Sequence, residues 1–232
     1  MISGPVLSKY FPVTQSFGLI NSGLESFTAE LMAWLTEIGQ NPRHSRITSG
    51  LADAFEALPP LTMYPQRDLL VHVNTDWSAY FASGIRGSDP APVMGYLAKR
   101  MQVRTMCVSV PIRNRKPQGA QWTVYSHPTL EVVAHLGIRR GVTCMKDGSR
   151  WSFAQLGEPF DFEDCARYEA NRIPARFDGP LLREYLLHLG FDAFADETFV
   201  VDEAHAAQLI ERDVPVGPGC SYAEIIAREN PG

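Results

Sequence analysis

Apolar positions recur at three- and four-residue steps through Leu24, Phe27, Leu31, Trp34, Leu35 and Ile38. That spacing marks one face of an α-helix. Ser22 and Glu25 stand three apart at its start, as in a capping box whose side chains each satisfy an N–H the helix leaves unpaired. Gly39 stands where a left-handed cap closes a helix. A shorter helix is expected from Leu51 to Leu58, with Ser49 near its start and Pro59-Pro60 blocking its continuation. Residues Met1 to Asn21, with Pro5, Pro12 and Gly18, suit a short strand or an irregular lead-in.

The run Leu69–Val73 has the continuous apolar character of a buried strand. It gives way to Asn74, Asp76, Trp77, Tyr80, Phe81 and Arg86, a stretch dense in polar and aromatic groups. Gly84 and Gly87 permit a tight reversal before Ser88 or Asp89 caps a helix with Val93, Tyr96, Leu97 and Met101 on its apolar face. From Thr105 the text changes to short β-rich runs: Met106–Val110, Gln121–Ser126, Leu130–Leu136, Val142–Met145 and Arg150–Leu156. Such spacing describes an antiparallel meander. Asp147-Gly148 is its strongest hairpin signal, since both central residues of a type I′ turn need positive φ, and Asn114–Gly119 is a polar, basic loop at another hairpin.

Beyond Pro159 the pattern turns helical. Asp161 is placed to cap a segment carrying Cys165 and Tyr168 that ends near Ile173-Pro174. Asp178 and Pro180 open a helix with Leu181, Leu182, Tyr185, Leu186 and Leu189 inward, closed by Gly190. A strand is expected at Thr198–Val201 and a helix from about Glu203 to Arg212, while Val214–Gly219 reads as a linker before a capping box at Ser221 and Glu224. Together these elements predict one α+β domain over residues 1–232, an antiparallel β meander flanked by helices, with segment 214–232 the most loosely attached.

Composition narrows the function classes. A chain of 232 residues, 45% hydrophobic and 20% charged, is able to bury a large core. Its net charge of −5 supplies no domain-wide basic field, so nucleic acid is not an expected partner. Cys107, Cys144, Cys165 and Cys220 are far apart and form no C-x-x-C pair, and the N-terminus lacks a basic segment followed by an apolar run. Both point to a reduced, cytoplasmic setting. No apolar run approaches the roughly 20 residues of a membrane-spanning helix.

Motifs for chemistry are sparse. The six histidines make no H-E-x-x-H, and no His or Cys pair has zinc-finger spacing, so neither a metal nor another cofactor is expected. There is no G-x-S-x-G elbow. Cys107, inside an apolar run, reads as an inert core thiol, whereas Cys220 in Gly-Pro-Gly-Cys-Ser reads as the more exposed and reactive one. His72 followed by Tyr80, Phe81 and Gly84 is of the kind a nicotinamide-dependent ADP-ribosyltransferase uses, although neither Glu158 nor Glu163 has a diagnostic neighbour. A lone histidine in an apolar strand is more often a hydrogen-bonded core residue.

The segments Thr75-Asp76-Trp77-Ser78-Ala79-Tyr80-Phe81, Trp151 to Phe160, and Tyr168 with Ile173-Pro174-Ala175-Arg176-Phe177 resemble a group of uncharacterised bacterial proteins of similar length, over about Leu69 to Val201. The resemblance implies only a bacterial origin and a single domain, and it carries over no catalytic residue.

Two functions are compatible with these residues. The first is a non-enzymatic protein-binding role, immunity-like or accessory, with Asp76, Trp77, Tyr80, Arg86, Trp151 and Gln155 at the partner surface, because Trp, Tyr and Arg dominate binding hot spots. The second is a small-molecule enzyme, a transferase or hydrolase, with His72, Asp76, Tyr80 and Arg86 around a pocket. A purely structural role for Trp77, Tyr80 and Phe81, packed under the sheet, competes with both.

Overall fold

The computed structural model describes residues 5–110, 128–147, 149–213 and 217–229. Its strands are β1 (Ser16–Ile20), β2 (Arg43–Ile47), β3 (Arg67–Asn74), β4 (Trp77–Ala82), β5 (Thr105–Ser109), β6 (Thr129–Ala134), β7 (Gly137–Asp147), β8 (Arg150–Leu156) and β9 (Ala207–Glu211). The helices are α1 (Pro5–Lys9), α2 (Leu24–Glu37), α3 (Leu51–Glu56), α4 (Ala91–Met101), α5 (Gly179–His188) and α6 (Tyr222–Glu229). Among the described residues the strands form a single antiparallel sheet in the order β2-β9-β3-β4-β1-β5-β6-β7-β8. The α+β class and the meander β5-β6-β7-β8 are those the sequence predicts.

Alternation along each strand divides the core in two. Phe17, Leu19, Leu69, Val71, Phe81, Val108, Val132 and Leu209 point to one face, where they meet α1, α3, α5 and α6 through Leu7, Phe55, Leu182, Tyr185 and Ile225. Ile20, Leu70, Tyr80, Cys107 and Ile210 point to the other, under Phe27, Leu31 and Leu35 of α2 and Met94 and Leu97 of α4. Arg100 binds Glu37 at 2.5 and 2.7 Å and also bonds Glu30, while Trp34 stacks on Tyr96 at 4.5 Å, so the two helices of this second face are tied together. Gly18 lets α4 lie close on β1, since a Cβ there would come within 2.6 Å of Met94 Sδ.

Several elements differ from the sequence reading. Helix α2 begins after Gly23, without a side-chain cap, so Ser22 and Glu25 form no capping box. Ser88 likewise does not cap α4; its hydroxyl is buried, accepting from Ala82 N at 2.8 Å and donating to Val13 O. The segment expected to be helical from Asp161 carries only 3₁₀ turns, at Arg167–Glu169 and Ile173–Ala175. Residues Glu203–Arg212 contain strand β9 in place of a helix, and Thr198–Val201 contributes a single bridge, Val200 to His72. The expectations at Gln121–Ser126, Asn114–Gly119 and Gly148 lie outside the described residues.

The caps at Asp178 and Ser221 are as expected. Asp178 Oδ1 accepts from Leu181 N at 3.1 Å, and Ser221 and Glu224 bond each other's N–H groups at 3.2 and 2.7 Å. Cys220, expected to be exposed, is buried, because it exchanges backbone hydrogen bonds with Leu61 at 2.8 and 2.9 Å and so fastens the C-terminal segment to the core. Cys107 is buried as expected, and burial pushes its thiol up to about 12.

Candidate functional site

The polar and aromatic residues of 72–86 are spread along a hairpin. Asn74 pairs with Trp77 across the β3–β4 turn, and Asn74 Oδ1 accepts from Asp76 N at 3.0 Å, which fixes the turn and leaves Asp76 exposed. Trp77 then points into the first core, where its ring meets Phe191 edge-on at 4.9 Å with the Arg104 guanidinium 5.6 Å away. Tyr80 points into the second core. Its hydroxyl donates to Asp68 Oδ1 at 2.7 Å, and Arg212 donates to the same carboxylate at 2.6 and 2.7 Å. Burial first, then the charge of Asp68, pushes the Tyr80 hydroxyl well above its ordinary pKa.

Arg86 is exposed beyond the far end of β4. Gly87, at φ +101°, makes the reversal there, and a Cβ on Gly84 would strike Gly87 O at 2.1 Å, so the two glycines are required by their close approach. Six residues of strand, roughly 20 Å, separate the ends at which Asp76 and Arg86 lie. His72 shares a sheet face with Tyr80 but stacks on His205 at 4.2 Å, and His205 is held by Asp202 at 3.1 Å. Thus His72, Asp76, Tyr80 and Arg86 do not converge. Trp77 and Tyr80 are core side chains, the structural alternative open from the sequence.

Glu163 has its own use. Its carboxylate binds the buried Arg140 at 2.6 and 2.8 Å and accepts from Tyr168 Oη at 2.6 Å. Arg140 also donates to the carbonyls of Leu156 and Gly157 and to Gln155 Oε1 at 3.0 Å. Burial pushes Glu163 up, but the bonds from Arg140 and Tyr168 outweigh it and hold the carboxyl below its ordinary pKa. This cluster fastens the segment after β8 to the sheet, and every nitrogen of the Arg140 guanidinium has an acceptor.

Trp151 and Gln155 lie far from the hairpin. Four strands stand between β4 and β8, so the two aromatic-polar groups are about 24 Å apart across the sheet and form no common patch. They share one face of β8 with Phe153, which packs on Tyr168 at 5.1 Å. On the opposite face Ile138 and Leu156 flank Gly141, and Met145 stands opposite Ser152. Helices α2 and α4 cover the central strands there and leave this wing bare. Leu136 is 89% exposed, Leu156 57%, Ile138 46%, Met145 40% and Trp151 38%.

No protein-family model, curated protein sequence or solved structure matches the chain.

The wing is thus defined by its own geometry. Strand β8 is one of two open edges of the sheet among the described residues, and the two edges differ in chemistry. The edge at β2 reads Arg43-His44-Ser45-Arg46, charged residues that discourage a further strand. The edge at β8 reads Arg150-Trp151-Ser152-Phe153-Ala154-Gln155-Leu156, with its one charge at an end. Sequence reading singled out Trp151 and Gln155 but missed Leu136, Ile138, Met145 and Leu156. Of these only Leu156 falls in the alternating run 150–156, and alternation does not tell which face lacks a cover. His205 was missed because Glu203–Arg212 resembles a helix, and Asp202, between that segment and the expected strand Thr198–Val201, carries no signal of its own. No helix among the described residues is long and apolar enough to cross a membrane.

Proposed function

We propose that the chain is a non-enzymatic protein-binding protein of the cytoplasm, immunity-like or accessory in kind, whose docking surface is the wing formed by β7 and β8. The supporting observation is the concentration there of exposed apolar side chains beside an unguarded strand edge. Among the described residues, five of the ten large exposed hydrophobic residues belong to β7, β8 and the turn before them. Ile138, Met145 and Leu156 stand exposed on one face and Trp151 on the other; exposed apolar side chains gathered in this way mark interaction sites, and an open strand edge adds a row of backbone donors and acceptors. The enzyme reading lacks such support, since its four residues are divided between the core and opposite ends of a strand.

The test is affinity capture with the tagged full chain, as wild type and as Trp151→Ser/Leu156→Ser. A stoichiometric protein held by wild type and lost by the folded variant, whether another protein or an untagged copy of the chain, is the expected result. Retention by the variant at wild-type levels overturns the assignment to this wing.

A further inference from the structure

The β8 edge has a pattern that fits itself. Resting on the reading of the β7–β8 wing as a docking surface, we infer that its occupant is a second copy of this chain, with β8 paired antiparallel to its mate about a twofold axis at Phe153. The sheets of the two protomers then run on as one. An isologous contact of this kind is the commonest route to a homodimer.

The argument comes from register. Centring the seven residues of β8 on Phe153 sets Phe153 against Phe153 of the mate, Trp151 against Gln155, Ser152 against Ala154, and Arg150 against Leu156. Directly opposed residues share a sheet face, so an aromatic pair and two small–small pairs meet at the seam, combinations that suit neighbouring strands. The one charge of β8, Arg150, comes to lie at opposite ends of the seam in the two copies, roughly 20 Å apart, and no like charges face each other.

The exits from the strand leave room for the mate. Gly157, at φ +76°, turns the chain back over β7, with its Cα so near Arg139 O that a Cβ would come within 2.0 Å of it. The segment that follows is held there by Glu163 on Arg140, on the face of the sheet and away from the outer edge of β8. By contrast, self-pairing of β2 would bring Arg43 opposite Ile47 and Arg46 opposite His44 about its central Ser45, crowding cations at the seam. Among the described residues the sheet therefore has one edge suited to its own copy and one that resists it.

Sedimentation of the full chain from low micromolar to near-millimolar concentration tests the pairing, with S152K/A154K and S152E/A154K beside wild type. Wild type should be a reversible dimer. S152K/A154K places lysine opposite lysine twice and should raise the dimer dissociation constant roughly tenfold or more. S152E/A154K places glutamate opposite lysine twice and should restore the dimer. Amide exchange on wild type gives the same answer without substitution: protection of β8 rises with concentration. A wild type monomeric throughout, a dimer indifferent to S152K/A154K, or a charge swap that fails to restore association each overturns the inference. A monomer that still captures another protein, lost by Trp151→Ser/Leu156→Ser, overturns self-pairing and supports the docking surface.

Discussion

Tyr80 donates its phenolic hydrogen to Asp68 at 2.7 Å inside the core, where Tyr80 is 1% exposed and Asp68 is fully shielded. Arg212, just beyond β9, binds both oxygens of the same carboxylate. The β3–β4 hairpin is thereby cross-linked to the end of β9, remote in sequence, beneath α2, whose Phe27 ring lies 6.5 Å from that of Tyr80. The arrangement explains why a tyrosine of hot-spot type sits in this hairpin without serving a partner.

Tyr80→Phe keeps the ring and removes one donor from a buried carboxylate, so it should cost about 1–3 kcal/mol. Arg212→Met leaves Asp68 charged without its cation and should cost more, about 3–5 kcal/mol. Urea denaturation followed by far-ultraviolet circular dichroism measures both. A Tyr80→Phe chain as stable as wild type would remove the bond from the account of the core.

Arg140 and Glu163 form a second internal pair, 0% and 1% exposed in their side chains. Arg140→Met should destabilise by about 3–5 kcal/mol, because Glu163 stays buried without its cation. Arg140→Met/Glu163→Leu should recover much of that loss, since a well-packed apolar pair avoids desolvating two charges. If the double variant is less stable than the single one by more than the error of the urea curves, the bonds Glu163 accepts from Tyr168 Oη and Phe160 N outweigh the cost of leaving its charge unpaired.

Where apolar spacing and burial coincide, the fold is legible in the residues. Helix α2 shows it, with Leu24, Phe27, Leu31 and Leu35 all buried on one side. Strand β9 does not. Ala207-Gln208-Leu209-Ile210-Glu211 is made largely of good helix formers, yet β2 and β3 pair with it on both sides, and tertiary pairing overrides a weak local preference. Strand β2 has no apolar period because it is an exposed edge. The two readings left open for Trp77 and Tyr80, core or partner surface, have the same origin. Alternation shows that they point to opposite faces, but only the packing of α5's neighbourhood and of α2 reveals that both faces are covered. The β7–β8 wing was half visible, through Trp151 and Gln155, because exposure on its other face depends on where α2 and α4 stop.

His72 supplies a pH-dependent contribution. Burial is the main reason its pKa lies below the ordinary 6.5, the neighbouring His205 adds to the effect, and Asp202 opposes it. The folded chain therefore binds fewer protons at this position than the unfolded chain, so stability rises with pH. The contribution is complete above 6.5 and is lost as pH falls below that value toward the folded pKa. Glu163 acts in a lower window, its contribution being lost only as pH falls below 4.5 toward its depressed value. His72→Gln should accordingly reduce the drop in melting temperature between about pH 7.5 and about pH 5.5, where histidines titrate. An identical drop in both chains would assign the acid sensitivity elsewhere.

Trp77 and Trp151 make the sharpest contrast between core and surface. Trp77 lies in the first core against Phe191, and Trp77→Ala should cost about 3–5 kcal/mol through lost burial and the cavity left behind. Trp151 stands on the edge strand with the Lys146 ammonium 5.9 Å from its ring, and Trp151→Ala should move stability by no more than about 1 kcal/mol. Capture of a protein partner should reverse the order, with Trp151→Ala losing it at full stability. Trp77→Ala should retain it at any temperature at which the chain is folded. Calorimetric melting and affinity capture on the same preparations decide the matter: loss of partner in a fully folded Trp77→Ala chain, with Trp151→Ala unaffected, would return the docking surface to the β3–β4 hairpin.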